Sequence, residues 1–384
     1  MAADLPGRLL RCKGERAMNF RSFLGNRATV RQLQESVASG RLPHAILLSG
    51  PRGAGKYSLS LVLAQTLNCL DLQHDEQGLP DACDLCRNCT QIASALDLDA
   101  RVGEAVEARE DLRDADRKET RILIQPHPDV LVLPPDPPQM LVKVGQVRSL
   151  IHNVQRAPSE GGRKIYIFPR STFMNEAANA LLKVLEEPPE YAHLLLLAEN
   201  ISDLLPTIRS RSCIMRLEAL PRPQIEEILV ERHPEWNPDR RALVARLSEG
   251  AVGRALSFDA EAYTASRKDA LLLLRTATAE PDHSALFHMT ETYRAGADGQ
   301  QKTQTLLRTL YTLLEDMMLL QAAQPDMVRN IDVLLELRRL ADSVPFDWIE
   351  RTARSMADVE SGMRRNLLRS LSLDALAANM QQRA

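Results

Sequence analysis

The sequence GPRGAGK at residues 50–56 follows a short apolar run at 45–49 and precedes a stretch with helical periodicity. In this position, glycines let backbone N–H groups turn towards phosphate oxygens, while the helix dipole and the lysine add positive charge. The spacing therefore predicts a phosphate-binding loop. It also restricts the fold to an α/β class, because such a loop joins a buried strand to a helix. The candidate phosphate contacts are Gly50, Gly53, Gly55 and Lys56.

Four more short apolar runs predict further buried strands. They are rich in Ile, Leu and Val, and are bounded by Gly, Pro or charged residues, as is typical of strands that are covered on both faces. Amphipathic patterns between them, at 144–155 and 175–186, predict crossover helices. The chain is thus expected to form an α/β domain with a parallel sheet. The four runs are residues 129–133, 164–168, 194–198 and 213–217.

The rest of the chain has the pattern of helices alone. Pro221 and Pro223 mark a break, after which residues 224–231 and 238–248 have helical patterns, and later leucines are spaced for amphipathic helices. We expect four parts in the chain. They are a flexible tail over 1–17, an α/β domain over 18–217, a helical lid domain over 218–275 and a helical collar domain over 276–384.

Charge and hydropathy exclude two classes of protein. With 48 basic and 51 acidic residues, the net charge of -3 lacks the positive excess of a protein whose main task is to hold nucleic acid. The leucine-rich stretch at 306–320 contains three charged residues, so no membrane span is predicted. The basic tail lacks the apolar segment of a signal peptide. These features predict a cytoplasmic protein.

The residues that would hydrolyse a bound nucleotide are replaced. Magnesium is normally held by a Ser or Thr directly after the lysine, whereas Tyr57 stands there and Ser58 comes one position late. Carboxylates are also needed at the end of a later strand, where Pro169 and Arg170 follow the run at 164–168. We therefore predict that the chain alone does not hydrolyse ATP. Binding of ATP and Mg²⁺ stays open, as does the alternative that the acids lie elsewhere.

Four of the six cysteines are concentrated within the segment 69–89. Two successive CxxC steps bring thiolates onto tight turns, where four sulfurs can surround one tetrahedral zinc ion. A site with four protein ligands has no open position, so the zinc would be structural. The alternative is a set of reduced, buried cysteines. The predicted ligands are Cys69, Cys83, Cys86 and Cys89.

The segment 97–121 is rich in Asp, Glu and Arg and has almost no apolar periodicity. Such a composition cannot bury much surface. We therefore expect an exposed insertion without a role in the chemistry.

Several segments together resemble the bacterial DNA polymerase III clamp-loader family within the AAA+ ATPases. They are LPHAILLSGPRGAGK at 42–56, the four cysteines, HPD at 127–129, NALLKVLEEPP at 179–189 and LLPTIRSRSC at 204–213. The resemblance covers about residues 20–256, and the C-terminal third is similar to the family's collar only in pattern. It implies an AAA+ P-loop domain, a helical lid and an oligomerising collar.

Within the family, the similarity is greatest to the delta-prime subunits, which share the fold of the ATPase motor subunits but typically lack their hydrolytic acids. Tyr57, Pro169 and Arg170 favour this comparison. The resemblance implies that Arg211, in Ser-Arg-Ser-Cys, acts in trans in the ATP site of a neighbouring subunit. It also implies that Arg254 corresponds to a nucleotide-sensing arginine of the lid. The alternatives are a surface arginine at 211 and an ordinary ion-pair partner at 254.

The function implied by this resemblance is that of a subunit in a hetero-oligomeric clamp loader. The partners would be the gamma/tau motor and delta subunits and, through the complex, the sliding clamp and primed DNA. Polymerase activity would belong to the holoenzyme, at the replisome on the nucleoid. Two alternatives remain, namely a gamma/tau-like motor that hydrolyses ATP, and a zinc-stabilised AAA+ regulator or scaffold outside replication.

Overall fold

The computed structural model describes residues 18–113, 120–137, 139–160, 162–278, 289, 290, 293, 296–363, 375, 376 and 380. The chain divides into two compact units. The first unit comprises Met1–Leu220 and Ala251–Arg254, and the second comprises Pro221–Gly250 and Ala255–Ala384. The predicted tail at 1–17 lies outside the described residues. The separation of a lid over 218–275 from a collar over 276–384 stays a prediction.

The first unit contains a six-stranded sheet, and all five predicted strands are confirmed. In chain order the strands are β1 (Ala45–Ser49), β2 (Gln73–His74), β3 (Pro80–Asp81), β4 (Ile124–His127), β5 (Val130–Val132), β6 (Lys164–Phe168), β7 (Ala192–Ala198) and β8 (Cys213–Arg216). The sheet order is β4-β5-β6-β7-β1-β8, with β2 and β3 paired separately. Within the six-stranded sheet, every neighbouring pair is parallel except β4 with β5, and β2 and β3 are antiparallel.

Seven helices accompany this sheet in the described part of the first unit. They are α1 (Arg27–Ala38), α2 (Lys56–Asn68), α3 (Arg87–Ala93), α4 (Leu98–Glu110), α5 (Val144–Val154), α6 (Asn175–Glu186) and α7 (Pro206–Arg209). The helices predicted at 144–155 and 175–186 are confirmed as α5 and α6. The expected α/β fold class with a parallel P-loop sheet is likewise confirmed.

Both faces of the central strands are buried, which explains their uninterrupted apolar sequences. Along β7, Leu195 and Leu197 pack into one apolar cluster, whereas Leu194 and Leu196 pack into the other. This alternation follows from the two-residue period of a strand. Because β1 lies between β7 and β8, although it comes first in the chain, the sheet order reverses beside it. Ligands bind at such a switch point, at the carboxyl ends of the strands.

The second unit is helical. Its helices are α8 (Arg222–Arg232), α9 (Pro238–Leu247), α11 (Ala260–Thr278), α12 (Gly296–Gln321), α13 (Leu334–Ser343) and α14 (Phe346–Met363), while α10 (Val252–Leu256) crosses the division between the units. The leucines predicted for amphipathic helices at 306–320 are confirmed as part of the buried core around α12. Among the helices the structure describes, none is long and apolar enough to cross a membrane.

Candidate functional site

The phosphate-binding loop joins the end of β1 to the start of α2. Gly50, Gly53 and Gly55 all have positive φ angles, of 149°, 84° and 92°. A side chain at Gly50 would place Cβ 2.1 Å from the backbone oxygen of Leu217, so glycine is required there on steric grounds as well. The loop is also tied to residues 251–254, because Gly253 N donates to Gly53 O at 2.7 Å.

Lys56 bonds to its own loop in this structure. Its Nζ donates to Gly50 O at 2.6 Å and to Pro51 O at 2.8 Å. Burial lowers the pKa of the ammonium, and the nearby carboxylate of Glu199 partly opposes that shift. A phosphate group would compete with the two carbonyls for this ammonium, because both kinds of oxygen accept from the same three N–H donors.

Tyr57 has a structural contact at the position where other phosphate-binding loops have a metal-binding hydroxyl. Its phenol donates to the backbone oxygen of Ala95 at 2.7 Å, and burial raises the pKa of the phenol. The ring packs against the apolar cluster on one face of the sheet. Tyr57 therefore fastens the start of α2 to the chain after α3. Ser58, one residue later, lines the adjacent cleft.

A cleft of about 620 Å³ opens beside the loop at the carboxyl ends of the strands. The ends of β6 and β7 contribute to its wall, so the predicted replacements Pro169 and Arg170 lie at the site, together with Ala198 and Glu199. Asp203 also lines the cleft, although the sequence offered no signal for it.

The segment at 97–121 contributes residues to the wall of the cleft. It contains the helix α4, with no fully buried residue, and Leu98 and Asp99 at its start line the cleft. Near its end, Arg109 Nη1 lies 2.5 Å from Oδ1 of Asp136, a carboxylate with no exposed surface. The described part of the segment is thus largely exposed, as expected, and its first residues border the cleft. This ion pair joins residues far apart in the chain, which composition alone does not reveal.

Arg254 lies next to the phosphate-binding loop, on the side of Gly53. A Cβ atom at Gly53 would be 2.8 Å from Arg254 Cγ and 3.1 Å from Arg254 N. Arg254 therefore lies beside the phosphate-binding loop, as its resemblance to a nucleotide-sensing arginine implies.

The four predicted metal ligands come together. All four sulfur atoms lie within 4.8 Å of one another, with Cys69 Sγ 3.6 Å from Cys89 Sγ and 4.0 Å from Cys86 Sγ. A tetrahedron with Zn–S bonds of about 2.3 Å has S–S edges of about 3.8 Å. The cluster therefore has the size that a tetrahedral metal site requires. In the described ranges it is the sole group of three or more His, Cys, Asp or Glu side chains that is close enough to share an ion.

The thiols of the cluster differ in their surroundings. Burial raises the pKa of Cys69 to about 11. Burial also acts to raise the pKa of Cys86, but backbone N–H donors from Cys89 and Leu70 outweigh it and lower that pKa to about 7. Because metals bind thiolates, occupation of the site would release protons from the more basic thiols.

The cysteine cluster is attached to the helix that follows the phosphate-binding loop. Gln65, on α2, donates to Cys89 O at 2.9 Å, and Asn88 donates to Asn68 O, at the end of α2, at 3.0 Å. These bonds join the cysteine segment to α2, so a metal in the cluster would also hold that helix.

Arg211 lies at the amino ends of the parallel strands, whereas the phosphate-binding loop lies at their carboxyl ends. It precedes β8, which runs parallel to β1, whereas the loop follows β1. Its side chain is 37% exposed. Nη2 lies 2.8 Å from Glu186 Oε1, and Nη1 donates to Thr207 O at 3.1 Å. Four to five strand residues, at about 3.3 Å each, thus separate the two ends of the strands by roughly 15 Å. The arginine is paired with Glu186 and is remote from its own loop.

With this geometry established, comparison with known proteins gives one decisive match. The family model described as "DNA polymerase III, delta subunit" matches residues 25–221, about half of the chain. The chain belongs to this family. The matched range includes the whole parallel sheet, the cysteine cluster and Arg211. The AAA+ clamp-loader resemblance of the sequence is thereby confirmed.

Individual relatives include more than one kind of subunit. The chain is 32% identical to DNA polymerase III subunit tau of Escherichia coli (strain K12), over 64% of this chain and 33% of tau. It is 29% identical to subunit delta' of Bacillus subtilis (strain 168), over 62% of this chain and 58% of that subunit. It is 34% identical to subunit delta' of Pseudomonas aeruginosa, over 46% and 44% respectively. The chain thus spans less than two thirds of each relative.

Proposed function

We propose that this chain is a delta-prime-like subunit of a DNA polymerase III clamp loader. In this role it hydrolyses no ATP itself and contributes Arg211 to the ATP site of a neighbouring gamma/tau motor subunit. The delta subunit is a further partner, and the assembled complex places the sliding clamp on primed DNA. The names of the relatives support membership of a clamp-loader complex. The residues at the two ends of the parallel strands support the delta-prime-like role.

The observation that carries the proposal is the position of Arg211 at the amino ends of the parallel strands, remote from the chain's own phosphate-binding loop. An arginine there is too far away to serve that loop, and in the proposed complex it would contact a nucleotide bound to an adjacent subunit. A guanidinium supplied across an interface stabilises charge on the transferring phosphoryl group, with an effect of about 10³ to 10⁵ on the rate. Its partly exposed guanidinium is available for such contact.

The cleft residues support the lack of hydrolysis. Arg170 and Pro169 stand where carboxylates would hold the metal and orient water, and Tyr57 uses its hydroxyl on Ala95 O. Arginine has the wrong charge to ligate Mg²⁺, and proline has no ligand atom in its side chain. The positions after β6 at which we expect water-activating carboxylates therefore have no acid in this chain. Arg254 borders the same loop, at Gly53.

Zinc is the metal that best suits the cysteine cluster. Four thiolates at tetrahedral spacing are typical of structural zinc sites, in which no coordination position is left for a substrate. Bound zinc would hold the cysteine segment against α2 through Gln65 and Asn88. We assign it a structural role beside the phosphate-binding loop.

The test is DNA-stimulated ATP turnover by a reconstituted clamp loader with its sliding clamp. The complex is assembled with the wild-type chain, with Arg211→Ala or with Arg209→Ala, a control two residues away. We expect the complex with Arg211→Ala to have DNA-stimulated turnover lower by a factor of about 10² or more. The complex with Arg209→Ala should retain the turnover of the wild type. Size-exclusion chromatography checks that each variant assembles. Equal turnover with both variants would refute the arginine's role, and failure of the wild type to assemble would refute the clamp-loader function.

The second candidate is a gamma/tau-like motor, which is favoured by the 32% identity to tau. A motor would hydrolyse ATP as an isolated chain, and Lys56→Ala would abolish that turnover. The delta-prime-like proposal expects no turnover above background in either protein. A scaffold outside replication would join no clamp-loader subunit in the assembly assay.

A further inference from the structure

We propose that the exposed surface of residues 69–89, the cysteine segment, docks a segment of another protein in which basic side chains stand beside apolar ones. In this complex the leucines of the cysteine segment contact the apolar side chains, and its carboxylates pair with the basic ones. The docking surface lies outside the phosphate-binding loop and does not include Arg211, so it goes beyond the proposed clamp-loader function.

Three large apolar side chains of the cysteine segment are exposed to solvent. Leu85 is 72% exposed, Leu70 is 59% exposed and Leu72 is 40% exposed. Apolar residues that are exposed singly are ordinary on a protein surface, whereas several within one short segment are typical of a surface that binds a partner. Because burying a leucine is favourable in proportion to the area removed from water, these side chains can supply the affinity of a complex.

The sulfur cluster brings two of these leucines to one place. Leu70 follows Cys69 and Leu85 precedes Cys86, and the two sulfurs lie 4.0 Å apart. The backbone N–H of Leu70 donates to Cys86 Sγ, while that of Leu85 donates to Cys83 Sγ at 3.4 Å. The two leucines therefore lie beside the same group of sulfurs. Their backbone is held by hydrogen bonds before a partner arrives, so little ordering is required on binding.

The surface that carries these leucines is acidic. Residues 69–89 include five acidic residues, one arginine and no lysine. The arginine, Arg87, is occupied within the chain, because its Nη2 lies 2.8 Å from Glu160 Oε2. Asp71 and Glu76 are exposed, and neither forms an ion pair with any residue that the structure describes. Asp71 also stands between two of the leucines in the sequence, so negative charge and apolar surface are presented together.

The excess of negative charge selects the class of partner. Arg21, which borders the cysteine segment, does not reverse it, because its Nε lies 3.8 Å from Asp81 Oδ2 and its guanidinium donates to His74 O. Nucleic acid does not fit, since phosphates require Lys or Arg at the contact. A segment that carries Lys or Arg is attracted, and complementary charge favours encounter and correct pairing. The leucines add the requirement for apolar side chains, so the partner is a basic, apolar protein segment.

The experiment measures the binding of short fluorescent peptides to the full chain by anisotropy. Leucine and lysine alternate in the first peptide, leucine and glutamate in the second, and serine and lysine in the third. We expect the leucine–lysine peptide to bind at least about tenfold more tightly than either of the others, because it alone offers both kinds of contact. Its affinity should fall as the salt concentration rises, since exposed charges are screened.

Substitutions locate the peptide on the cysteine segment. Leu85→Ser is expected to weaken binding of the leucine–lysine peptide by about tenfold, and Asp71→Asn by about two- to fivefold. Leu335→Ser and Asp342→Asn, at exposed positions of α13, are the matched controls and should bind as the wild type does. All four replaced side chains are exposed, so the melting temperature and the zinc content should be unchanged.

Leu72→Ser, farther along the chain from the sulfurs, replaces Leu85→Ser if the latter changes the zinc content, and it is expected to weaken binding several-fold. Failure of the leucine–lysine peptide to bind at millimolar concentration, equal binding of the serine–lysine peptide, or equal binding by the leucine variant and the wild type would each overturn the proposal. Displacement of the peptide by duplex DNA would overturn the choice of a protein partner. Arg211→Ala should bind the peptide as the wild type does, so this result and the clamp-loader assay succeed or fail separately.

Discussion

Replacement of Asp316 by alanine is expected to destabilise the second unit by about 3 kcal/mol. The carboxylate lies on α12 with no exposed surface, and it accepts three hydrogen bonds. The donors are Arg329 N at 2.9 Å, Asn330 N at 2.9 Å and Asn330 Nδ2 at 2.8 Å. It therefore fixes the turn that leads into α13.

The magnitude follows from these three donors. Each buried N–H that loses its partner costs about 1 kcal/mol at the lower end of the usual range. The lower end applies because the variant no longer has to bury a carboxylate. Glu315→Ala is the matched control. Its side chain is 56% exposed and pairs with Arg329, which also contacts Glu249, so we expect a loss of less than about 1 kcal/mol.

Urea unfolding followed by tryptophan fluorescence measures this difference directly. The chain has two tryptophans, Trp236 and Trp348, and both belong to the second unit. Their emission therefore reports that unit without interference from the first. If Asp316→Ala and Glu315→Ala lower the free energy of unfolding by the same small amount, the carboxylate does not hold the turn and the reasoning is wrong.

Three further measurements address the other sites. Cys89→Ser should reduce the zinc content of the purified protein, measured by mass spectrometry, from about one equivalent to near zero, because a tetrahedral site loses one of four thiolates; undiminished zinc would refute the assignment. Glu186→Gln should lower clamp-loader turnover by up to about fivefold, because an exposed ion pair worth up to about 1 kcal/mol orients Arg211. Glu187→Gln, the control, should leave the turnover unchanged. Identical turnover with both variants would show that the ion pair does not position the guanidinium. Burial lowers the pKa of His193 from 6.5 to about 4, so the unfolded chain takes up a proton that the folded chain does not. Stability should therefore fall as the pH decreases from about 6.5 towards 4. His193→Asn should flatten this dependence in unfolding followed by circular dichroism, and an unchanged slope would assign it to other groups.

The strands and the site loop were accessible from the sequence because both depend on local patterns. Strands covered on both faces need continuous apolar runs, so β1 and β6 were predicted within their observed bounds. The edge strand β4 was not predicted, because half of its residues are not fully buried and its pattern is correspondingly weak. The CxxC spacing likewise predicted the convergence of the sulfurs, since three of the four cysteines are close in the chain.

The contacts of single polar groups required the tertiary structure. The composition of the segment at 97–121 indicates only exposure, whereas the structure shows that α4 borders the cleft and that Arg109 pairs with Asp136. Nothing local distinguished Ser171 from any loop serine, although its hydroxyl is buried at the site.

The sequence by itself determined the fold class, the phosphate-binding loop and the convergence of the four cysteines, and it predicts the lack of hydrolysis. These depend on periodicity and on residues adjacent in the chain. Only the tertiary structure decided that Arg211 lies at the end of the strands remote from its own loop, and that the buried Asp316 carboxylate accepts three hydrogen bonds. The physical reason is that the environment of a polar side chain is set by strand order and by packing between distant segments. The one-dimensional pattern does not contain either of these.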